Sequence, residues 1–146
     1  MWFVLDENLP RAYARCLAEL GGQGREFTVS HIRDLAGKSV ADTEWIAAVK
    51  RKGEAVVISG DRRMLTRIHE LQALRDAQLT TFILAPGWAN LKFWDKAWLL
   101  VRWWPKIVET AAASPPGTLF RVPHKHGPTG LTPFGSKPSR RRAPRD

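Results

Sequence analysis

Three short apolar runs constrain this chain most: 2–5 (WFVL), 55–59 (AVVIS) and 80–84 (TTFIL). Runs this short and almost wholly apolar suit strands buried on both faces. Stretches with helical spacing separate them. Leu9, Tyr13, Cys16, Leu17 and Leu20 share one face of a predicted helix opened by Asn8 and closed by Gly21 and Gly22. Trp45, Ile46 and Val49 mark a second helix that starts near Asp42. Met64, Leu65, Ile68, Leu71 and Leu74 mark a third. Leu91, Trp94, Trp98, Val101 and Val108 mark a fourth, which Pro105 kinks or restarts. Residues 26–32 (EFTVSHI) alternate as a strand, and 118–122 (TLFRV) supply a last one. This order predicts an α/β fold: one domain with a mainly parallel central sheet of about four to five strands flanked by helices. The crossovers are expected to be right-handed.

A length of 146 residues suits one core. The domain is expected to span 1–122. Residues 123–146 hold five Pro and three Gly, and this composition predicts a disordered tail. The net charge is +9, which attracts polyanions, nucleic acid first among them. The tail carries two Lys and four Arg against one Asp, a net of +5, which leaves +4 for 1–122. A single cysteine, Cys16, excludes an intrachain disulfide and a cysteine-rich zinc site, and its place in the first helix predicts burial. No apolar run approaches the ~20 residues of a membrane span. No basic segment precedes the first apolar run as in a secretion signal, so the expected location is the cytoplasm.

The first run ends abruptly in "FVLDENLP", residues 3–10. A carboxylate directly after a buried strand is costly unless it has a partner. Asp6 ends the first strand and Asp61 follows the third. Asp42 opens a helix that returns antiparallel to the sheet, so all three reach one rim. Clustered carboxylates repel, and a hard divalent cation such as Mg²⁺ or Mn²⁺ offsets that repulsion. Such a cation also activates water and stabilises charge on a phosphodiester. Plainer roles fit the same residues: Asp42 beside Ser39 or Thr43 as a helix cap, and Asp61 in "SGDRR" as a turn residue.

"FVLDENLP", "DTEWI" (42–46) and "VVISGDRRM" (56–64) resemble the PIN-like nuclease family, most closely its compact branch of VapC-type toxins. The similarity runs on through "ELQALRDAQLTTFIL" and "GWANLKFWDKAWLLVRWWPKI", covering roughly residues 2–122. The resemblance implies a metal-dependent endoribonuclease with Asp6, Asp42 and Asp61 in the acidic positions and Mg²⁺ or Mn²⁺ as cofactor. It implies the toxin of a type II toxin–antitoxin module, with RNA as substrate, a cognate antitoxin as partner and a homodimer. Two features depart from the family. Its second acid is commonly Glu, so Glu44 competes with Asp42. Its fourth acidic position holds Arg63, which leaves Glu70 and Asp95 as replacements, with Glu7 a further neighbour of the rim.

Arg62 and Arg63 follow Asp61 and are candidate contacts to RNA phosphates, or else neutralise the acids. Lys92, Lys96 and Arg102 interleave with Trp94, Trp98, Trp103 and Trp104, a pattern that fits stacking on single-stranded RNA, a packed core or a partner surface. His124 and His126 lie in the predicted tail without nearby thiols or carboxylates. "SRRRAPR" (139–145) suits binding to a polyanion without sequence choice. Two other classes compete with the nuclease. One is a non-catalytic RNA- or partner-binding module on a degenerate PIN-like fold. The other, a phosphoryl-transfer or receiver domain, fits worse, because "DEN" lacks a second Asp two residues on.

Overall fold

Branched and aromatic side chains set five strands. The structure, a computed structural model, describes residues 1–21, 27–36, 42–61, 63–128 and 130–134; for residues 36, 42, 43 and 65 it describes the backbone alone. The order is β1 (Trp2–Leu5), α1 (Arg11–Gly21), β2 (Thr28–His31), α2 (Ile32–Ala36), α3 (Asp42–Lys52) and β3 (Val56–Ser59). A 3₁₀ turn (Met64–Thr66), α4 (Ile68–Asp76), β4 (Thr80–Leu84), a 3₁₀ turn (Pro86–Asn90), α5 (Phe93–Ala113) and β5 (Leu119–Val122) complete it.

The strands form one parallel sheet in the order β2-β1-β3-β4-β5. The chain steps from β1 outward to β2, then returns past β1 to β3. Strand order therefore reverses between β1 and β3, and the crevice at their carboxyl ends is where an open α/β sheet binds ligands.

Alternate strand residues serve two cores. Phe3, Leu5, Ile58 and Phe82 face Tyr13 and Leu17 of α1 and Leu99, Trp103 and Ile107 of α5. Val4, Val57 and Ile83 face Trp45, Ile46 and Val49 of α3 and Leu71 and Leu74 of α4. Each large side chain fully buried in this way contributes about 1.5–3 kcal/mol. The steps β3 to β4 and β4 to β5 go the same way along the sheet, but α4 and α5 lie on opposite faces. The two crossovers thus have opposite hands, so the expectation of uniformly right-handed crossovers fails. The reason is packing: α5 runs over β1, where Trp104 meets Phe3 with ring centroids 4.8 Å apart.

Local readings shift in several places. Helix α1 starts at Arg11 instead of at Asn8, because the Asn8 N–H turns back to Asp6 Oδ1 at 3.1 Å. Cys16 is exposed, since α1 buries Tyr13, Ala14 and Leu17 instead. Helix α5 is continuous through Pro105, whose missing N–H falls on the solvent side. Trp94 and Trp98, for which a packed core, a partner surface and RNA stacking were all open, are 80% and 60% exposed, which removes them from the core. Of the expected tail, residues 123–128 and 130–134 fold back instead, and 135–146 lie outside the described residues. Leu131 and Phe134 pack against the two cores, and the Phe134 N–H bonds Leu119 O at 2.6 Å.

Candidate active site

The ladder between β1 and β3 continues one residue past β1, with the Asp6 N–H on Ile58 O at 3.1 Å. This sets Asp6 against the end of β3. Asp6 is 6% exposed and accepts three hydrogen bonds. Ser59 Oγ donates to Oδ2 at 2.6 Å, while the N–H groups of Gly60 and Asn8 donate to Oδ1 at 3.1 Å each. Burial nevertheless holds the Asp6 pKa above the ordinary carboxylate value. The three donors oppose that rise, and the nearby Asp61 carboxylate adds to it.

Ser59 links the two acids: its Oγ also accepts the Asp61 N–H at 3.3 Å. Asp61 itself lies under two arginines. The Arg63 N–H and Nε reach Oδ1 at 2.9 and 3.4 Å, and Arg67 Nη1 stands 3.7 Å from Oδ2. The same Arg67 nitrogen bonds Glu70 Oε1 at 2.9 Å. Glu70 is buried, so it needs such a counter-charge. The acid considered as a fourth ligand is therefore tied to Asp61 through an arginine.

The other expected residues are placed as follows. Asp42 opens α3 and its side chain lies outside the described residues. Helix α3 ends just before β3 begins, so its first turn points to the carboxyl edge of the sheet, some 16 Å along at about 1.5 Å per residue. Arg62 lies outside the described residues. Glu7 and Glu44 are exposed, and Asp95 is exposed in the first turn of α5.

Sequence reasoning passed over three residues that build this rim. Ser59 is fully buried at the end of an apolar strand; a polar residue there, just before Gly-Asp, was the available signal. Arg67 showed only its three-residue spacing from Glu70. His31, 2% exposed at the end of β2, accepts the Arg33 N–H at Nδ1, so Nε2 carries the proton and donates to Leu9 O at 2.7 Å. It pins the 7–10 turn that brings the Asn8 N–H to Asp6. Gly60 is fitted to that turn: a Cβ there would stand 3.1 Å from the Leu9 side chain.

Beside the acids opens a cavity of about 380 Å³. Asn8 and Leu9 after β1, Gly60, Asp61 and Arg63 after β3, Leu84 and Ala85 at the end of β4, and Trp88, Ala89 and Lys96 beyond it form the wall. Trp88 is fixed by its Nε1–H on Val122 O at 3.0 Å.

The donor chemistry suits a hard cation in part. Asp6 and Asp61 bring carboxylate oxygens, the donor type a hard cation prefers, from adjacent strand ends. Among the described residues no group of three or more His, Cys, Asp or Glu is placed to hold a metal. Ser59 bridges Asp6 and Asp61, and the side chain of Asp42, the third expected residue, lies outside the described residues. Among the described residues no helix is long and apolar enough to cross a membrane.

A family model described as PIN like domain matches residues 1–86 of the chain. No curated protein and no solved structure matches it. The matched span carries Asp6, Asp42, Ser59 and Asp61 and ends just after β4, so Trp88, Ala89 and Lys96 lie beyond it.

Proposed function

The chain belongs to the PIN-like domain family, whose members are in general nucleases, and on that premise we propose that it is an endoribonuclease dependent on Mg²⁺ or Mn²⁺. The observation that carries this reading is the Asp6–Ser59–Asp61 unit at the switch point of the sheet. Asp6, Asp42 and Asp61 hold the cation in this reading. When bound, the cation supplies an activated water and offsets charge on the phosphodiester. The chain's own residues fix the geometry. Ser59 and the N–H groups of Gly60 and Asn8 orient the Asp6 carboxylate, and Arg63 offers a guanidinium to RNA phosphate. Arg62 is assigned the same role.

We assign the chain, more finely, to the toxin of a type II toxin–antitoxin pair acting in the cytoplasm. The antitoxin inhibits by covering the acidic rim. A homodimer is the second assembly in this reading, supported by the exposed Phe93, Trp94 and Trp98 on α5.

One observation favours a second reading, a non-catalytic RNA- or partner-binding module. Asp61 faces two arginines, and Arg67 ties it to Glu70, so the acids are internally neutralised. Cleavage of a mixed RNA pool separates the two. The purified chain and its Asp6→Asn variant are assayed with Mn²⁺, Mg²⁺ or EDTA. The nuclease predicts metal-dependent cutting that falls at least about 100-fold in the variant, as for loss of a group acting at the reacting centre. Equal cutting by both proteins would sink the assignment to Asp6. No cutting by a folded, inhibitor-free chain would support the binding module.

A further inference from the structure

Helix α5 turns an apolar row outward. Trp94 is 80% exposed, Trp98 60% and Val101 38%, and Pro105 is exposed beside them. Their spacing of four, three and four residues is that of a coiled-coil seam. The row runs roughly 16 Å along the helix at about 1.5 Å per residue. It lies opposite Leu99, Trp103 and Ile107, so the core of the fold does not use it.

The row is self-complementary when reversed. Against an antiparallel second copy, Trp98 faces Val101 and Trp94 faces Pro105, so each large indole meets a small side chain. A parallel pair would set Trp against Trp. Charge agrees with the antiparallel register. Asp95 and Arg102 are both exposed on one flank of the row. Reversal brings Asp95 of one copy to Arg102 of the other, twice over in a two-fold contact. Among the described residues neither forms an ion pair in its own chain, and Arg102 lies over the Trp98 ring, 5.3 Å from its centroid. The area is of the right order. At the upper end of the roughly 150–250 Å² that an aromatic side chain buries, Trp94 and Trp98 alone supply roughly 700 Å² over two copies. Phe93, Val101, Pro105 and Arg102 carry the contact towards the ~1,000 Å² of a specific interface. RNA fits this face less well. Lys92 and Lys96 each stand two positions from Trp94 and so on the far side of the helix, where Lys96 lines the cavity. Beside the indoles, Asp95 and Glu109 offset Arg102 and Lys106.

We propose that the exposed face of α5 is the contact with a second copy of this chain, the two helices packed antiparallel with Trp98 on Val101, Trp94 on Pro105 and Asp95 on Arg102. The inference rests on the homodimer of the reading above and deepens it, but it does not depend on cleavage. Helix α5 runs from the carboxyl edge of the sheet, after β4, to the amino edge, before β5. The two acidic rims therefore lie at opposite ends of the helix pair.

Sedimentation equilibrium of the full chain in EDTA tests it, over about 1–100 µM, the range in which a micromolar dimer dissociates. The wild type should be a dimer at the upper end. Trp98→Ala removes a central anchor from both copies and should weaken the dimer at least about 30-fold, as for an interface hot spot. Diluted to the monomer, this variant should unfold in urea close to the wild type, because the row lies outside the core. Cys16 is exposed, so the register is tested in a Cys16→Ser background. There an Asp95→Cys chain and an Arg102→Cys chain should form a disulfide when mixed, and little when each is oxidised alone. A wild type that stays monomeric throughout would overturn the interface. So would a dimer indifferent to Trp98→Ala, or cross-linking of each Cys variant alone as readily as of the mixture, the mark of a parallel pair. Single-stranded RNA bound by a monomeric wild type and lost in Trp98→Ala would give the face to RNA instead. The RNA cleavage assay keeps the two ideas apart. A dimer that does not cut would retain the interface and end the nuclease. Cutting by a monomeric chain would do the reverse.

Discussion

Asp6 takes three hydrogen bonds and still ionises reluctantly, because burial between two strands removes more solvation than the donors restore. That balance has a sign in stability. The folded state holds the Asp6 proton more tightly than the unfolded chain, so Asp6 favours folding most at low pH. Its contribution falls as pH rises from the ordinary 3.8 through the raised folded value. Measured in EDTA, thermal stability of the wild type should therefore decline across that window by more than in Asp6→Asn, whose amide does not titrate. Identical pH profiles for the two proteins would show that Asp6 is not the strained group. The acids themselves were legible, since each follows an apolar run. Their partners were not. Ser59 and His31 act through contacts of 2.6 and 2.7 Å with residues distant in sequence, and no local pattern encodes those partners.

Helix α5 shows what periodicity misses. Its 21 residues carry aromatic and branched side chains on both faces, so the phase of the buried stripe is ambiguous. The stripe through Trp94, Trp98 and Val101 has a helical repeat, yet it faces solvent. The buried stripe runs through Leu99, Leu100, Trp103, Trp104 and Ile107, because that side meets Phe3 on β1. Trp103→Ala should destabilise the fold by about 3–5 kcal/mol, as for truncation of a large core aromatic. Trp98→Ala should cost no more than about 0.5 kcal/mol, as at other surface positions, beyond the loss of its stacking with Arg102. Urea unfolding of both variants checks this, and equal losses would mean that the Trp98 face is covered in solution. Helices α1, α3, α4 and α5 and their order were readable because tertiary packing rarely reverses a long amphipathic run, whereas α2, which begins at Ile32, lay in a stretch read as the end of a strand. The face each presents was not, because the neighbouring strand decides it.

Across the whole molecule, parallel strands gather every carboxyl end at one edge, which is why acidic residues from β1, β3 and the start of α3 can share a rim. The cost of such a sheet is two exposed edges. At β5 the chain manages this with residues 123–128 and 130–134. Phe120 pairs antiparallel with Pro133, and the Phe134 N–H takes the carbonyl of Leu119. His126 lies on Trp103, ring centroids 4.5 Å apart, and fixes the return. Pro and Gly made this stretch read as unstructured, and the average hid two anchors, Leu131 and Phe134, each packed against a core. Phe134→Ala removes a half-buried ring and loosens the cover over β5. It should lower stability by about 1–2 kcal/mol, less than a full core truncation because the ring is only partly buried. An uncovered strand edge also recruits other chains, so light scattering at partial unfolding should rise earlier in the variant than in the wild type. If stability and scattering are both unchanged, the return segment does not shield β5, and the sheet edge must be protected by the brevity of the four-residue strand itself.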